Sequence, residues 1–520
     1  MANTRRNFLT TSLALAGTTA LPNLVLAQAG AAIVETSNGR VRGRSENGLQ
    51  VFRGIPYGGD TSGRNRFMPP TPATKWSGVR EAAEWGHIAP KPTSAIVPNT
   101  YGAMVLWSDY RGGLSEDCLT LNVWTPATDS ARRAVVVILH GGGFNSGSGN
   151  LTALEGAHLA RAGDVVVVTV NHRLGSLGYT DLSGLGGSDF AASGVAGMID
   201  LVQSLQWVRD NIERFGGDPA RVLITGQSGG GGKVSTLLTM PSARGLFHRA
   251  VLQSGSTIRL TQKEAAQRNS EEFLKKLSLT RNDLAKLQAL PFEQLMAAQQ
   301  GGGPVVDGSI VPRHPFDPDA PASSANVPMM IGSCLEDSGY QSSEFDVSEA
   351  GVQAFIETQA PGKGASILAT YRKLYPNKKP FFIRGMVATD RNLRRNTVTQ
   401  AERKAAAGSA PAYMYRFDWQ TPAQGGKYGA CHGVDLSISF ANPDTNVGMN
   451  TAEAKTLAQR LGGATIAFAK TGNPNHPGIP NWTPYNAQTR STMVFDVNTR
   501  AENDPNRELR LLWNEVLAPL

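Results

Sequence analysis

Four short segments of the chain are apolar at nearly every position: "TLNVWTP", "AVVVILH", "DVVVVTVNH" and "RVLITG". Strands with one wet face alternate apolar and polar residues, whereas continuous apolar runs fit strands covered on both faces. Between them the stretch "GMIDLVQSLQWVRDNIERFG", residues 197–216, repeats its apolar residues with a helical period. Strands alternating with amphipathic helices predict an α/β fold with a central, mostly parallel sheet. Upstream, "AAIVETSNGRVRGRSENGLQVFRGIPYG" breaks β-prone runs with Asn-Gly turns and predicts a small N-terminal antiparallel sheet. Beyond residue 260 the pattern becomes helical and irregular, so helical insertions are expected at about 261–300 and 343–408. Two further strands are expected, at "VPMMIGS" and "PAYMYRFD".

The first 29 residues have a different character. "TRRNFL" sets Arg5 and Arg6 ahead of a moderately apolar stretch that ends in small residues, Ala27 and Ala29. This is the form of a cleaved signal peptide of the twin-arginine type, with a mature start near Gly30 and a periplasmic or secreted destination. Gly17, Pro22 and the threonines argue against a permanent span. Residues 30–520 then read as a single domain. The net charge of +8, or +6 without the two leader arginines, is carried by scattered lysines and arginines with no basic run, so no nucleic-acid partner is expected. Three cysteines, Cys118, Cys334 and Cys431, are too few for a disulfide scaffold and lack metal-ligand spacing.

Candidate chemistry concentrates in "VLITGQSGGGGKVS", residues 222–235. A phosphate-binding loop needs glycine six positions before its lysine and a hydroxyl residue after it. Those positions hold Gln227 and Val234. The alternative pattern Gly-x-Ser-x-Gly is complete at Gly226, Ser228 and Gly230, with a strand before it and a helix-forming segment after it. Such a turn strains the serine backbone to lift its hydroxyl above the sheet, and side chains two residues away on either side would collide. The expected role of Gly231, Gly232 and Lys233 is only to start the helix. His140-Gly141-Gly142-Gly143 ends an earlier apolar strand, where glycines allow backbone N–H groups to turn toward one point and hold an oxyanion. The expected donors are Gly142, Gly143 and Gly229, the residue after the serine.

With both elements in order, the chain resembles the type-B carboxylesterases of the α/β-hydrolase fold. The resemblance runs through "FRGIPYG", "SEDCLTLNVWTP", "HGGGF", "NHRLGSLGY", "LQWVRDNIERFGGDPARVLITGQSGGG", "VLQSGS" and "CHGVDLSISF". It implies hydrolysis of small-molecule esters by a triad in the order serine, acid, histidine, with no cofactor. The histidine is expected at His432, in "GACHGVDL". The acid is expected at Asp337 in "IGSCLEDSGY", where many relatives carry glutamate, with Glu336 as the fallback. The resemblance further implies a supporting role for Ser254, ion pairs Arg66–Glu116 and Arg173–Asp200, and a buried, unbridged Cys118. Cys334 and Cys431 flank the acid and the histidine, and a bridge between them stands beside two buried thiols as alternatives. Gln227 replaces a glutamate common in relatives and points away from cationic choline esters. Trp107 and Tyr110 are candidates for the rim of the pocket. Two alternatives to a general esterase stay open, specialisation for one ester class (aromatic, phenolic, polyester or toxin esters) and a non-catalytic binding relative.

Overall fold

The structure, a computed structural model, describes residues 30–92, 97–106, 109–299 and 301–520. The leader at 1–29 and the pocket-rim candidate Trp107 lie outside the described residues.

Among the described residues, eleven strands form one sheet, and its middle is parallel. From Val166–Val170 through Arg133–Leu139, Gly217–Gln227, Arg249–Gln253, Met329–Cys334 and Ala412–Phe417 to Ser491–Phe495, each strand runs parallel to the next. Antiparallel strands close both edges, Arg500–Asn503 at one and Thr120–Thr125, Leu49–Pro56 and Arg44–Glu46 at the other.

The continuous apolar strands are explained by two separate cores. Val135, Val137 and Leu139 pack into one cluster, while Val136 and Ile138 pack into another on the opposite face. Because successive side chains leave a strand on opposite sides, both sets must be apolar when helices cover both faces. One cover is the helix Ala196–Asn211, which buries Leu201, Leu205 and Val208 against the first cluster. Each such side chain contributes roughly 1.5–3 kcal/mol when fully removed from water.

The N-terminal segment divides in two. Ile33–Thr36 and Gly39–Arg42 pair antiparallel in a small separate sheet, but its third strand, Val79–Glu81, pairs parallel to the second. The remaining two segments, Arg44–Glu46 and Leu49–Pro56, join the main sheet instead. Phe52 and Ile55 are fully buried there, and a bulge between them keeps both in the core. The late part of the chain carries helices at Lys263–Lys276, Leu284–Ala289 and Phe292–Ala298, and again at Glu349–Gln359, Gly364–Leu374, Pro380–Thr389 and Arg395–Ala406. Among the described residues, no helix is long and apolar enough to cross a membrane.

Candidate active site

The strand Gly217–Gln227 ends at Ser228, and the helix Gly229–Leu237 begins at the next residue. Ser228 sits at φ 59°, ψ −127°, a conformation that costs a non-glycine residue roughly 1–3 kcal/mol. Packing enforces it. A Cβ on Gly226 would lie 2.3 Å from the Gly230 carbonyl carbon, and one on Gly230 would lie 2.2 Å from the Leu139 carbonyl oxygen. The Ser228 N–H donates to the Gln253 carbonyl at 2.8 Å, tying the turn to the neighbouring strand end.

The glycine-rich loop after Arg133–Leu139 lies directly against this turn. Gly142 and Gly143 have φ +90° and +62°, and a Cβ on Gly229 would fall 2.1 Å from the Gly143 carbonyl oxygen. Among the described residues, none accepts a hydrogen bond from the N–H of Gly142, Gly143 or Gly229. Three amide donors without a protein acceptor thus lie beside the Ser228 turn.

Lys233 does more than start a helix. It is fully buried, and its Nζ donates to the carbonyls of His140 at 2.8 Å and Gly143 at 2.9 Å, clamping both ends of the glycine loop. Burial pulls its pKa down to about 7. A neutral amine still carries two hydrogens, enough for both carbonyls. His140 and His172 stack beside it with ring centroids 4.9 Å apart, and each lies 2.8 Å through Nδ1 from a backbone carbonyl. Burial first, and then the charge of Lys233, holds both rings well below the ordinary histidine range. They belong to the scaffold of the loop. No motif points to the lysine clamp, because its partners lie 90 and 93 residues earlier in the chain.

Two strands farther along, the sheet delivers the acid. Asp337 follows Met329–Cys334 and is completely buried. Its Oδ1 lies 2.5 Å from His432 Nδ1, and its Oδ2 accepts from Ser254 Oγ at 2.5 Å and from the Cys334 N–H at 2.8 Å. Glu336 is turned away: its carboxylate pairs with Lys378 and accepts from the Ala430 N–H at 3.0 Å and from Gln420. Ser254 therefore contacts the acid that bonds the imidazole. It stands at φ 50°, and its own N–H donates to the Gly332 carbonyl at 2.8 Å. Gly255, the next residue, packs so closely on Ser228 that a Cβ there would lie 2.1 Å from the Ser228 carbonyl oxygen. Serine, acid and histidine are thereby linked through one strand end.

His432 is held from several directions. Its N–H donates to the Asp337 carbonyl at 3.0 Å, and the Tyr101 hydroxyl donates to its own carbonyl at 2.8 Å. The Tyr340 ring stacks on the imidazole at 5.1 Å and 17°, and Tyr101 stacks on Tyr340 at 4.6 Å. With Nδ1–H donated to a carboxylate, the basic lone pair resides on Nε2. Among the described residues, Tyr340 and Tyr101 both reach the histidine, the first through its ring and the second through its hydroxyl. Tyr110, in contrast, lies under the Lys91 ammonium at 3.7 Å. A 3-10 turn at Asp337–Gln341 places the Tyr340 ring three residues beyond the acid, a local signal visible only once that turn is known.

The expected ion pairs are present. Arg66 bonds Glu116 in a fork at 2.6 and 2.5 Å, and Arg173 bonds Asp200 at 2.9 and 2.6 Å, both pairs buried. Breaking such a pair by removing one partner typically costs about 3–5 kcal/mol. The Cys334–Cys431 bridge is not formed. All three cysteines are free and buried. Cys334 and Cys431 pack as small apolar groups in the core that holds Tyr415 and Phe417, and burial raises both thiols well above their ordinary range. Gln227 is also buried, and neither of its amide atoms has a partner among the described residues.

A strained serine at a glycine-cramped strand–helix turn, a glycine loop against it and a buried carboxylate–imidazole couple at neighbouring strand ends coincide with a family match over residues 30–512. The chain belongs to the carboxylesterase family. It is 35% identical over 498 residues to the para-nitrobenzyl esterase of Bacillus subtilis, covering 92% of this chain and 97% of that one. It is 31% identical over 490 residues to the phenmedipham hydrolase of Pseudarthrobacter oxydans, covering 89% and 94%. Among solved structures, the carboxylesterase of Geobacillus stearothermophilus superposes with a TM-score of 0.80 at 32% identity, over 93% of this chain and all of that one. An esterase of Clostridium hathewayi that hydrolyses aliphatic aromatic polyesters gives 0.81 at 33% identity, over 94% and 98%. The carboxylesterase is a carboxylic ester hydrolase of the α/β-hydrolase fold, and the binding-only alternative is set aside.

Proposed function

We propose that this carboxylesterase cleaves its esters through an acyl-enzyme formed on Ser228. His432 Nε2 takes the proton from Ser228 as the hydroxyl oxygen attacks the ester carbonyl. Asp337, bonded to Nδ1, keeps the ring in that tautomer and stabilises the imidazolium. The N–H groups of Gly142, Gly143 and Gly229 receive the developing oxyanion. His432 then protonates the departing alcohol, and water attacks the acyl carbonyl, with His432 as base, to release the acid. The observation that carries this reading is the pairing of a buried Asp337–His432 couple with a serine strained to φ 59° two strands away, the strand Arg249–Gln253 bonding to both.

Stopped-flow hydrolysis of p-nitrophenyl butyrate tests it. The expected result is a burst of one p-nitrophenol per chain, with a butyryl group mapped to the Ser228 peptide after acid quench. A labelled peptide elsewhere contradicts the proposal.

On substrate scope, the reading is a general carboxylesterase. The neutral, buried Gln227 amide next to the nucleophile offers no charge to a cationic alcohol group. The similarity to a phenmedipham hydrolase and to a polyester-hydrolysing esterase directs a hydrolysis panel toward aromatic esters. Selective turnover of one such ester, with short aliphatic esters inert, would favour the specialised alternative. We also infer export of the mature chain, from about Gly30, through a twin-arginine route, on the strength of Arg5–Arg6 and the small-residue cleavage site. Replacement of both arginines by lysine, with the chain then assayed in periplasmic and cytoplasmic fractions, tests that step.

A further inference from the structure

A cavity lined by none of Ser228, Asp337 and His432 lies against the strand Ala412–Phe417, between the helices Arg395–Ala406 and Arg507–Val516. It spans about 690 Å³ including the solvent at its open mouth. Part of its wall is apolar, formed by Met414, Leu509 and Trp513, all nearly fully buried, among charged and polar neighbours.

Its polar atoms are unevenly satisfied. Arg416 is 3% exposed; its Nε and Nη2 are spent on Asp418 at 2.7 and 2.6 Å, while Nη1 is buried without a partner among the described residues. Tyr485 is 4% exposed and its hydroxyl likewise has none. Asn506 accepts from the Tyr375 hydroxyl at 2.9 Å through Oδ1, which orients the amide and leaves Nδ2 as a buried donor with no acceptor. All three residues line the same cavity. Three donors without an acceptor call for a ligand that accepts, since a buried unpaired polar group is costly.

The charge balance has the same sign. Arg394, Arg490 and Arg510 on the cavity wall are matched by Asp390, Glu402 and Asp504, and Arg416 by Asp418. Arg395, also on the wall, has no carboxylate partner among the described residues and donates to the Ala518 carbonyl. The cavity thus combines an excess of positive charge, three donors unmatched among the described residues and an apolar portion of wall.

We propose that this cavity is a non-catalytic binding site for an amphipathic carboxylate, its head group on Arg416 Nη1, Asn506 Nδ2 and the Tyr485 hydroxyl and its hydrocarbon against Met414, Leu509 and Trp513. Carboxylates of this kind are also the acid products of ester hydrolysis, so entry to the esterase site has to be separated from binding here. Isothermal titration of the mature enzyme with hexanoate, 1-hexanol and inorganic phosphate, repeated on Asn506→Asp and Tyr485→Phe, makes that separation. Asn506→Asp sets a carboxylate against the head group at a position whose left-handed backbone aspartate tolerates. Tyr485→Phe removes only a hydroxyl that bonds nothing. The expected result is saturable hexanoate binding that weakens at least tenfold in Asn506→Asp and several-fold in Tyr485→Phe, no saturable binding of hexanol, weaker binding of phosphate, and unchanged p-nitrophenyl acetate turnover in both variants. Hexanoate affinity that is absent from the wild type, or identical in all three proteins, overturns the site. Phosphate binding as tight as hexanoate overturns the amphipathic assignment.

Discussion

Asp337 Oδ1 lies 2.5 Å from His432 Nδ1, while the neighbouring carboxylate, Glu336, faces the opposite way onto Lys378. One residue of backbone direction decides which acid serves the imidazole. Asp337→Asn should lower kcat/KM for p-nitrophenyl acetate by about 10³–10⁴, as expected when the orienting carboxylate of such a couple is lost. Glu336→Gln should leave kcat/KM within about tenfold and lower thermal stability, because Lys378 then loses its partner. The reverse ranking would assign the acid to Glu336.

Lys233 holds the carbonyls at both ends of the glycine loop. Lys233→Met leaves two buried carbonyls without donors, at roughly 1–3 kcal/mol each. Under the proposed mechanism it should also let the Gly142 and Gly143 amides drift from the oxyanion they are proposed to hold. Loss of one oxyanion donor costs about 10²–10³ in kcat, so a fall of that order with KM little changed is expected. Lys233→Gln keeps one donor and should recover part of the rate. A Met variant with normal kcat would reduce the lysine to a packing role.

Tyr340 stacks on His432. Aromatic pairs of this kind contribute about 0.5–1.5 kcal/mol, so Tyr340→Ala should reduce kcat/KM by roughly three- to tenfold and Tyr340→Phe hardly at all. Steady-state kinetics on both variants decides whether the ring or the hydroxyl matters.

These residues divide by whether their geometry is local in the chain. The elbow was legible because Gly226, Ser228 and Gly230 meet one another within five residues, and the collision that demands glycine is encoded in the spacing. The parallel sheet was legible because both faces of its central strands are covered, which leaves unbroken valine and isoleucine runs. The Lys233 clamp and the Tyr101–Tyr340–His432 stack join positions 90 to more than 300 residues apart, where no periodicity carries information. The small N-terminal antiparallel sheet was legible from its alternation and turns, but not how many strands it keeps. Alternation identifies strands but not which sheet edge accepts them, and Phe52 and Ile55 are buried in the core of the large sheet.

Asp435 makes stability depend on pH. It is fully buried behind His432 and accepts from the Tyr415 hydroxyl at 2.7 Å; Asp337, His432 and Cys334 also face it. Burial first, and then the charge of Asp337, raises its pKa from 3.8 to about 6. A raised carboxylate holds its proton more tightly folded than unfolded. Its contribution to stability is therefore complete below about 3.8 and lost as pH rises through 6. The shift corresponds to about 3 kcal/mol. Asp435→Asn should gain thermal stability relative to wild type at pH 8 and lose that advantage at pH 4. Equal melting differences at the two pH values would show that Asp435 ionises normally.

The central claim is that Ser228 attacks the ester. The most direct measurement is kcat/KM of purified Ser228→Ala on p-nitrophenyl acetate, beside wild type and with circular dichroism matched to show intact folding. The expected result is a loss of at least about 10⁴, the residual rate arising from binding and the oxyanion amides alone. Retention of activity within tenfold of wild type would contradict the account.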